Sequence, residues 1–328
     1  MSELGSFKNV YDIEGLTIEY EVGRSSLRAV NDVSLGIRDG EALGIVGESG
    51  SGKTTLALSL LNLVPPPGRV KSGKVVFDGQ IDILSLSGEE LRKFRWKQTA
   101  MVFQGALNSF NPVLRVGDQI LETMTEHGLG DRQKGMEKAS DLLRLVRLDP
   151  ERTMKAFPHE LSGGMKQRAL IATSLLLDPK VLILDEPTTA LDVISQKYIL
   201  NILSDLRRKL GITIVLLTHD LAICTEVVDR IAVMYAGRMV EIAKTQDHFL
   251  RPKHPYSMGL IRATPSVFGD VKELKPIAGS PPDMFNPPQG CPFNPRCPFA
   301  SQVCTSKVPN LEMISEGRLV ACHKWGDI

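Results

Sequence analysis

Apolar and polar residues alternate near the start of the chain. LTIEYEV (residues 16–22), LRAVNDVSLGI (27–37) and EALGIVG (41–47) read as short strands separated by turns. A glycine-rich stretch follows, and LALSLLNLV (56–64) then repeats its apolar residues at helical spacing until Pro65, Pro66, Pro67 and Gly68 stop it. GKVVFDGQID (73–82) reads as a hairpin turning at Asp78 and Gly79. From about residue 87 to 159 charged helical patterns dominate, as in EELRKFRWK and DRQKGMEKASDLLRLVRL, broken at Asn111 and Pro112. Ser162 is placed as the N-cap of a helix through GGMKQRALIATSLLL. VLILD (181–185) and TIVLLTH (213–219) are apolar enough to be buried strands, and VISQKYILNILSDLRRKL between them is a helix. Strand–helix–strand alternation with apolar strands predicts an α/β fold built on a largely parallel sheet covered on both faces. After about residue 250 the chain turns proline-rich (RPKHPYS, KPIAGSPPDMFNPPQG), which reads as a linker and a small loop-rich module.

Composition narrows the function little. The 328 residues carry 39 Lys and Arg against 38 Asp and Glu, a formal charge of +1, so nothing demands nucleic acid or an acidic surface as partner. The N-terminus has no basic start leading into an apolar core, and no apolar run reaches membrane-spanning length. A soluble cytosolic chain is expected, with any membrane part supplied by other subunits.

Candidate chemistry is concentrated in two places. Residues 47–54, GESGSGKT, fit G-x-x-x-x-G-K-S/T at every fixed position, between an apparent strand and an apparent helix. The glycines allow backbone N–H groups to turn in around phosphates, Lys53 brings a cation to the β- and γ-phosphates, and the Thr54 hydroxyl can ligate Mg²⁺. The second place is the end of VLILD. There Asp185 can hold Mg²⁺ through water, and Glu186, one residue on, is placed to polarise an attacking water.

With these motifs on the chain, LSGGMKQR at residues 161–168 resembles the signature of the ATP-binding subunits of ABC transporters. In the same family order, Gln104 in MVFQ resembles the Q-loop glutamine, Asp192 in ALD the D-loop aspartate, His219 in LLTHD the switch histidine, and Tyr20 the aromatic that stacks on adenine. The resemblance spans roughly residues 10–250. It implies a P-loop ABC ATPase with a RecA-like core over residues 1–86 and 165–250 and a helical subdomain over 87–164. It also implies ATP contacts from Tyr20, Gly47, Ser49, Gly50, Gly52, Lys53, Thr54 and Thr55, with Val30 a further candidate near the base. Mg²⁺ would be held through Thr54, Gln104 and Asp185. Lys53, Gln104, Glu186 and His219 would be the catalytic set. Two subunits would sandwich ATP head to tail, with Ser162, Gly163 and Gly164 of one meeting the γ-phosphate held by the other.

The second half points to a branch. FNPV at residues 110–113, and HPY (254–256), GSPPD, CPFNPRCPFA and the final ACH, resemble the peptide-importer ATPases and the extension of oligopeptide and dipeptide importers. The Q-loop departs from that branch in GALNSF, where an acid and a serine are more usual. The branch also serves nickel and oligosaccharide importers, and the ATPase residues do not choose among them. The implied partners are a second ATPase subunit, expected to be a different chain, two transmembrane permease subunits and an extracytoplasmic solute-binding protein. The implied place is the cytoplasmic side of the cell membrane, peripherally. Other classes fit less well: DNA-maintenance ABC ATPases need coiled coils or DNA-binding insertions, and translation-associated ABC proteins carry two ATPase halves where this chain has one P-loop. An exporter is disfavoured by the extension.

Four of the five cysteines fall in the extension, as Cys291-x5-Cys297-x6-Cys304-x17-Cys322. Disulfides need an oxidising compartment, and structural zinc prefers C-x2-4-C pairs, absent here. The resemblance implies a 4Fe–4S cluster on these four residues, with Zn²⁺ as the alternative, tying down a module over residues 251–328 poor in apolar residues. His323 is expected to be incidental or to sit behind Cys322. The fifth, Cys224, falls on the apolar face of a helix and reads as core.

Overall fold

The computed structural model describes residues 8–105, 109–128, 131–264 and 276–328. The departure from the usual Q-loop at Ala106, Leu107 and Asn108 lies outside them. The chain forms two compact units, one from residues 1–86 and 217–328, the other from 87–216.

The first unit begins with an antiparallel sheet in the order β2 (Ser25–Arg38), β1 (Asn9–Val22), β4 (Gly68–Phe77), β5 (Ile81–Asp82). Its strands run longer than the apolar alternation predicts. The expected β4–β5 turn forms, with Asp78 at φ 52° and Gly79 at φ 70°, the positive values that match the twist of paired strands. The second sheet of this unit places β3 (Ala42–Val46) beside β9 (Arg230–Tyr235), parallel, and both strands are buried throughout. From β9 onward the sheet turns antiparallel, through β10 (Arg238–Lys244), β12 (Arg318–Val320) and β11 (Glu312–Ser315). The expectation of a largely parallel sheet fails at this edge. The cause is local: Ala236 (φ 48°) and Gly237 (φ 77°) form a two-residue turn that returns the chain immediately.

Helix α1 (Lys53–Ser59) follows the glycine-rich loop and is shorter than its apolar pattern suggests, because the chain turns at Asn62 with φ 47°. The extension is likewise tied into strands rather than standing as a separate loop module. Glu241 on β10 is fully buried and accepts hydrogen bonds from the Lys253 and His254 amides and from Arg318 on β12. Helix α8 (Leu221–Val227) carries Cys224, fully buried against Gly44, with burial pushing its thiol up to about 12. This is the core role expected for it.

The second unit contains the helical stretch expected after residue 87: α2 (Gly88–Phe94), α3 (Val116–Glu126), α4 (Arg132–Leu145) and α5 (Pro150–Lys155). Asp131 and Asp149 accept from amides of the first turns of α4 and α5, which explains where both helices start. Strand β6 (Thr99–Val102) pairs in parallel with β7 (Val181–Asp185). Between them runs α6 (Gly163–Ser174), capped by Ser162 as predicted. Helix α7 (Val193–Leu210) starts on Asp192 and stops at Gly211, which takes φ 65°. Strand β8 (Thr213–Thr218) lies beside β7 and is wholly buried.

Candidate nucleotide site

Residues 47–54 form a tight loop between β3 and α1, and two of its glycines are there for space. A Cβ on Gly47 would lie 2.2 Å from the Met234 carbonyl oxygen, and one on Gly52 2.0 Å from that of Ala29. Gly52 also takes φ 102°, a conformation other residues resist. Gly50 (φ 78°) has nothing near its missing Cβ and, with Ser49 and Thr54, is exposed. The loop therefore packs Gly47 and Gly52 against β9 and β2 and leaves Ser49, Gly50 and Thr54 exposed. Thr55 is half-buried. The Lys53 ammonium is held in register by the loop itself, donating to the carbonyls of Gly47 (2.7 Å) and Glu48 (3.0 Å).

Tyr20, near the end of β1, is half-buried and its ring lies over Gly68, where a Cβ would come within 2.7 Å of it. Val30 is fully buried in the core, so the suggested contact with a base is corrected: no face of this side chain is open to a ligand. His219 stands exposed one residue beyond β8. Its loop is shaped by the Asp220 amide donating to Thr218 Oγ1 at 2.9 Å.

In the second unit, Asp185 is buried at the C-terminal end of β7 and Glu186 follows it in a left-handed conformation, φ 48°. Such a conformation costs a non-glycine residue about 1–3 kcal/mol and is held only when its surroundings impose it. Two side chains aim the carboxylate: Gln104 Nε2 donates to Glu186 Oε2 at 3.1 Å and Thr189 Oγ1 donates to the same oxygen at 3.0 Å. Gln104 and Glu186 are thus brought together, although nothing in their sequence spacing pairs them.

The signature residues sit at the start of α6. Ser162 is exposed and accepts from the Met165 amide at 3.3 Å. Gly163 is half-buried. Gly164 lets α7 approach, since a Cβ there would meet Ser195 Oγ at 2.9 Å. Asp192 accepts from both the amide and the hydroxyl of Ser195, at 2.9 and 2.7 Å, and these bonds hold its carboxyl below the usual range. The signature helix and the Asp192 turn therefore meet at one serine, Ser195. Sequence reading missed Ser195, and it also missed Thr189 and Glu48. Thr189 lies three residues beyond Glu186, a spacing that could have flagged it. Ser195 likewise stands three residues after its N-cap. Glu48 occupies an unconstrained position of the loop motif and carries no such signal.

Residues 30–189 match the ABC transporter family, and residues 240–304 match the oligopeptide/dipeptide transporter C-terminal region. The dipeptide transport ATP-binding protein DppD of Caldanaerobacter subterraneus subsp. tengcongensis is 44% identical over 312 residues, covering 95% of each chain. The chain belongs to the ABC transporter ATP-binding family, in its dipeptide and oligopeptide branch. The oligopeptide transport ATP-binding protein OppD of Escherichia coli is 42% identical, over 95% of this chain and 92% of its own. Among solved structures, a dimeric ATP-binding cassette in a post-hydrolysis state bound to ADP and Pi has a TM-score of 0.63 at 30% identity, covering 72% of this chain and 98% of that one. No helix among the described residues is long and apolar enough to span a bilayer.

One feature expected from the resemblance to this branch is not supported. Among the described residues no group of three or more His, Cys, Asp or Glu side chains is arranged to hold a metal ion. The 4Fe–4S cluster placed on Cys291, Cys297, Cys304 and Cys322, and its zinc alternative, are therefore corrected. Burial pushes the Cys291 and Cys322 thiols up to about 11. Two of the sulfurs take ordinary hydrogen bonds, Cys304 with Ser301 Oγ and Cys322 from the Lys324 amide. His323 bonds to the Lys307 carbonyl. The module is held instead by its strand pairing to β10 and by Phe293, which is buried against Tyr235 and Tyr256 with ring centroids 5.2 and 5.4 Å away.

Proposed function

We propose that this chain is the ATP-hydrolysing subunit that energises an ABC importer of dipeptides or oligopeptides. The observation that carries the reading is the extent of the match. Likeness to dipeptide and oligopeptide transport ATP-binding proteins runs through both the loop-bearing half and the extension, over 95% of the chain.

The exposed part of residues 47–54 suits a triphosphate, because the Ser49 and Thr54 hydroxyls lie on it, a loop of this motif can turn its amides to phosphates, and Lys53 supplies a fixed cation. In this reading Gly47, Ser49, Gly50, Gly52, Thr54 and Thr55 hold the phosphates and Tyr20 stacks on the base. Thr54, Gln104 and Asp185 are hard oxygen donors of the kind Mg²⁺ prefers, and the ion would supply charge neutralisation on the phosphates. Glu186, aimed by Gln104 and Thr189, orients the attacking water, and His219 holds the γ-phosphate. Ser162, Gly163 and Gly164 serve the ATP of a second ATPase subunit, which we take to be a different chain, and Asp192 lies in the turn beside them. Two permease subunits and an extracytoplasmic solute-binding protein complete the assembly, with this chain peripheral on the cytoplasmic side of the membrane.

The test is ATP hydrolysis by the reconstituted complex, titrated separately with short peptides, oligosaccharides and nickel. Stimulation by peptides is expected. Stimulation by sugar or nickel alone would keep the ATPase and replace the cargo, and no hydrolysis under any condition would remove the function.

A further inference from the structure

Glu48, at the second position of the phosphate loop, is gripped from outside the loop. Its amide donates to the Tyr256 hydroxyl at 2.8 Å, and its carboxylate takes both arms of Arg296, Nη1 to Oε2 at 2.7 Å and Nη2 to Oε1 at 3.0 Å. Both partners belong to the C-terminal extension and lie more than 200 residues further along the chain. Tyr256 is fully buried in the first turn of helix α10 (Pro255–Ala263), and the Arg296 side chain is 5% exposed.

Arg296 cannot swing. Its Nε donates to the Ala278 carbonyl at 2.9 Å, Nη1 also reaches the Tyr235 hydroxyl at 3.3 Å, and Nη2 the Ile277 carbonyl at 3.5 Å. The guanidinium lies 5.9 Å from the ring centroids of both Tyr235 and Phe293. A planar fork with its donors engaged holds a carboxylate in one orientation, where a lysine would hold it only as a point charge.

The other end of Glu48 faces the chemistry. Its carbonyl accepts from Lys53 Nζ at 3.0 Å and from the Ser51 amide at 3.2 Å. One residue thus connects the extension to the cation of the phosphate loop. We infer that Arg296 and Tyr256 are positioning residues for ATP binding, with the extension acting through Glu48 to hold the phosphate loop and Lys53 in the shape that accepts nucleotide. The inference rests on the ATP-binding reading above. A ligand's apparent affinity falls in proportion to the fraction of protein in the competent shape, whereas saturating ligand restores that shape. Loosening the grip therefore raises KM for ATP and leaves kcat close to its original value.

The experiment measures ATP hydrolysis against ATP concentration in the reconstituted transporter. Fluorescent-nucleotide binding and thermal unfolding of the full-length chain are followed in parallel, for wild type, Lys53→Ala, Arg296→Gln, Arg296→Lys, Glu48→Gln, Tyr256→Phe and the double variant Arg296→Gln/Glu48→Gln. Arg296→Gln and Glu48→Gln are each expected to raise KM and Kd about three- to tenfold with kcat within about twofold. Arg296→Lys should recover part of the loss, and the double variant should be no worse than the worse single one, since both break the same bond. Tyr256→Phe removes one hydroxyl from an otherwise intact ring and keeps the inference testable if the charged variants fail to fold. Unchanged KM in folded Tyr256→Phe and Arg296→Gln, or additive losses in the double variant, would overturn it. So would a fall in kcat and melting temperature with KM unmoved, which is the mark of a purely structural bond. Wild type that binds nucleotide no better than Lys53→Ala would overturn the ATPase reading, and this inference with it.

Discussion

Gln104 and Glu186, 82 residues apart, share a hydrogen bond of 3.1 Å, Gln104 Nε2 donating to Glu186 Oε2. Thr189 donates to the same oxygen, so the carboxylate is oriented from two sides while its backbone sits at φ 48°. Glu186→Gln preserves the size of the side chain and removes its charge and its capacity to orient water as a base. ATP binding should persist, while turnover should fall by about 10²–10⁴-fold. Single-turnover hydrolysis together with nucleotide binding would separate the two, and normal turnover in this variant would remove Glu186 from the role.

The glycines at the back of the phosphate loop make a steric prediction. A methyl group at Gly52 would stand 2.0 Å from the Ala29 carbonyl oxygen, at a φ of 102°. Gly52→Ala must either displace β2 or distort the loop, so it should weaken ATP binding severely. Gly50→Ala meets no neighbouring atom and bears only the cost of a positive φ, about 1–2 kcal/mol. Nucleotide titration should rank Gly52→Ala as clearly the more damaging of the two.

Glu241 is a stability hinge for the extension. It is fully buried and paired with Arg318 at 2.8 Å, and it also caps the Lys253 and His254 amides. Glu241→Ala leaves a buried guanidinium with its carboxylate gone, which should cost about 3–5 kcal/mol in denaturant unfolding. A loss below about 1 kcal/mol would show that the pair is not a structural tie.

Two histidines predict acid sensitivity. Burial lowers His248 to about 4, where Glu241 opposes the shift and Arg318 adds to it, and lowers His254 to about 4 as well. Among the described residues neither ring nitrogen of His248 has a hydrogen-bond partner, and His254 Nδ1 accepts from the Tyr256 amide. Both folded values lie below the unfolded value near 6.5, so the native state favours the neutral rings. Their contribution is whole above about pH 6.5 and is lost as pH falls toward 4, at about 1.4 kcal/mol per pH unit for each group. Thermal unfolding followed from pH 7 to 4 should show this decline, and His248→Phe should reduce the slope by about one proton. An unaltered slope would mean that His248 does not titrate on unfolding.

The motifs that name the chemistry were legible in the sequence because each is a local requirement. Residues 47–54, the acids after VLILD, and the serine and glycines at 162–164 are each set by the geometry of one turn or one helix start. Ser162 and the turn at Asp78 and Gly79 behave as the sequence predicts for the same reason. Which of these side chains touch was decided only by tertiary structure. Gln104 on Glu186, Gly164 against Ser195, and Arg296 on Glu48 join segments whose separation along the chain carries no signal of contact. The cysteines show the same limit from the other direction. A family resemblance implied a metal centre, yet no metal-holding group forms among the described residues, and aromatic packing with strand pairing holds the module. A side chain's type is written in the sequence, but its dielectric surroundings and its neighbours exist only once the chain has folded.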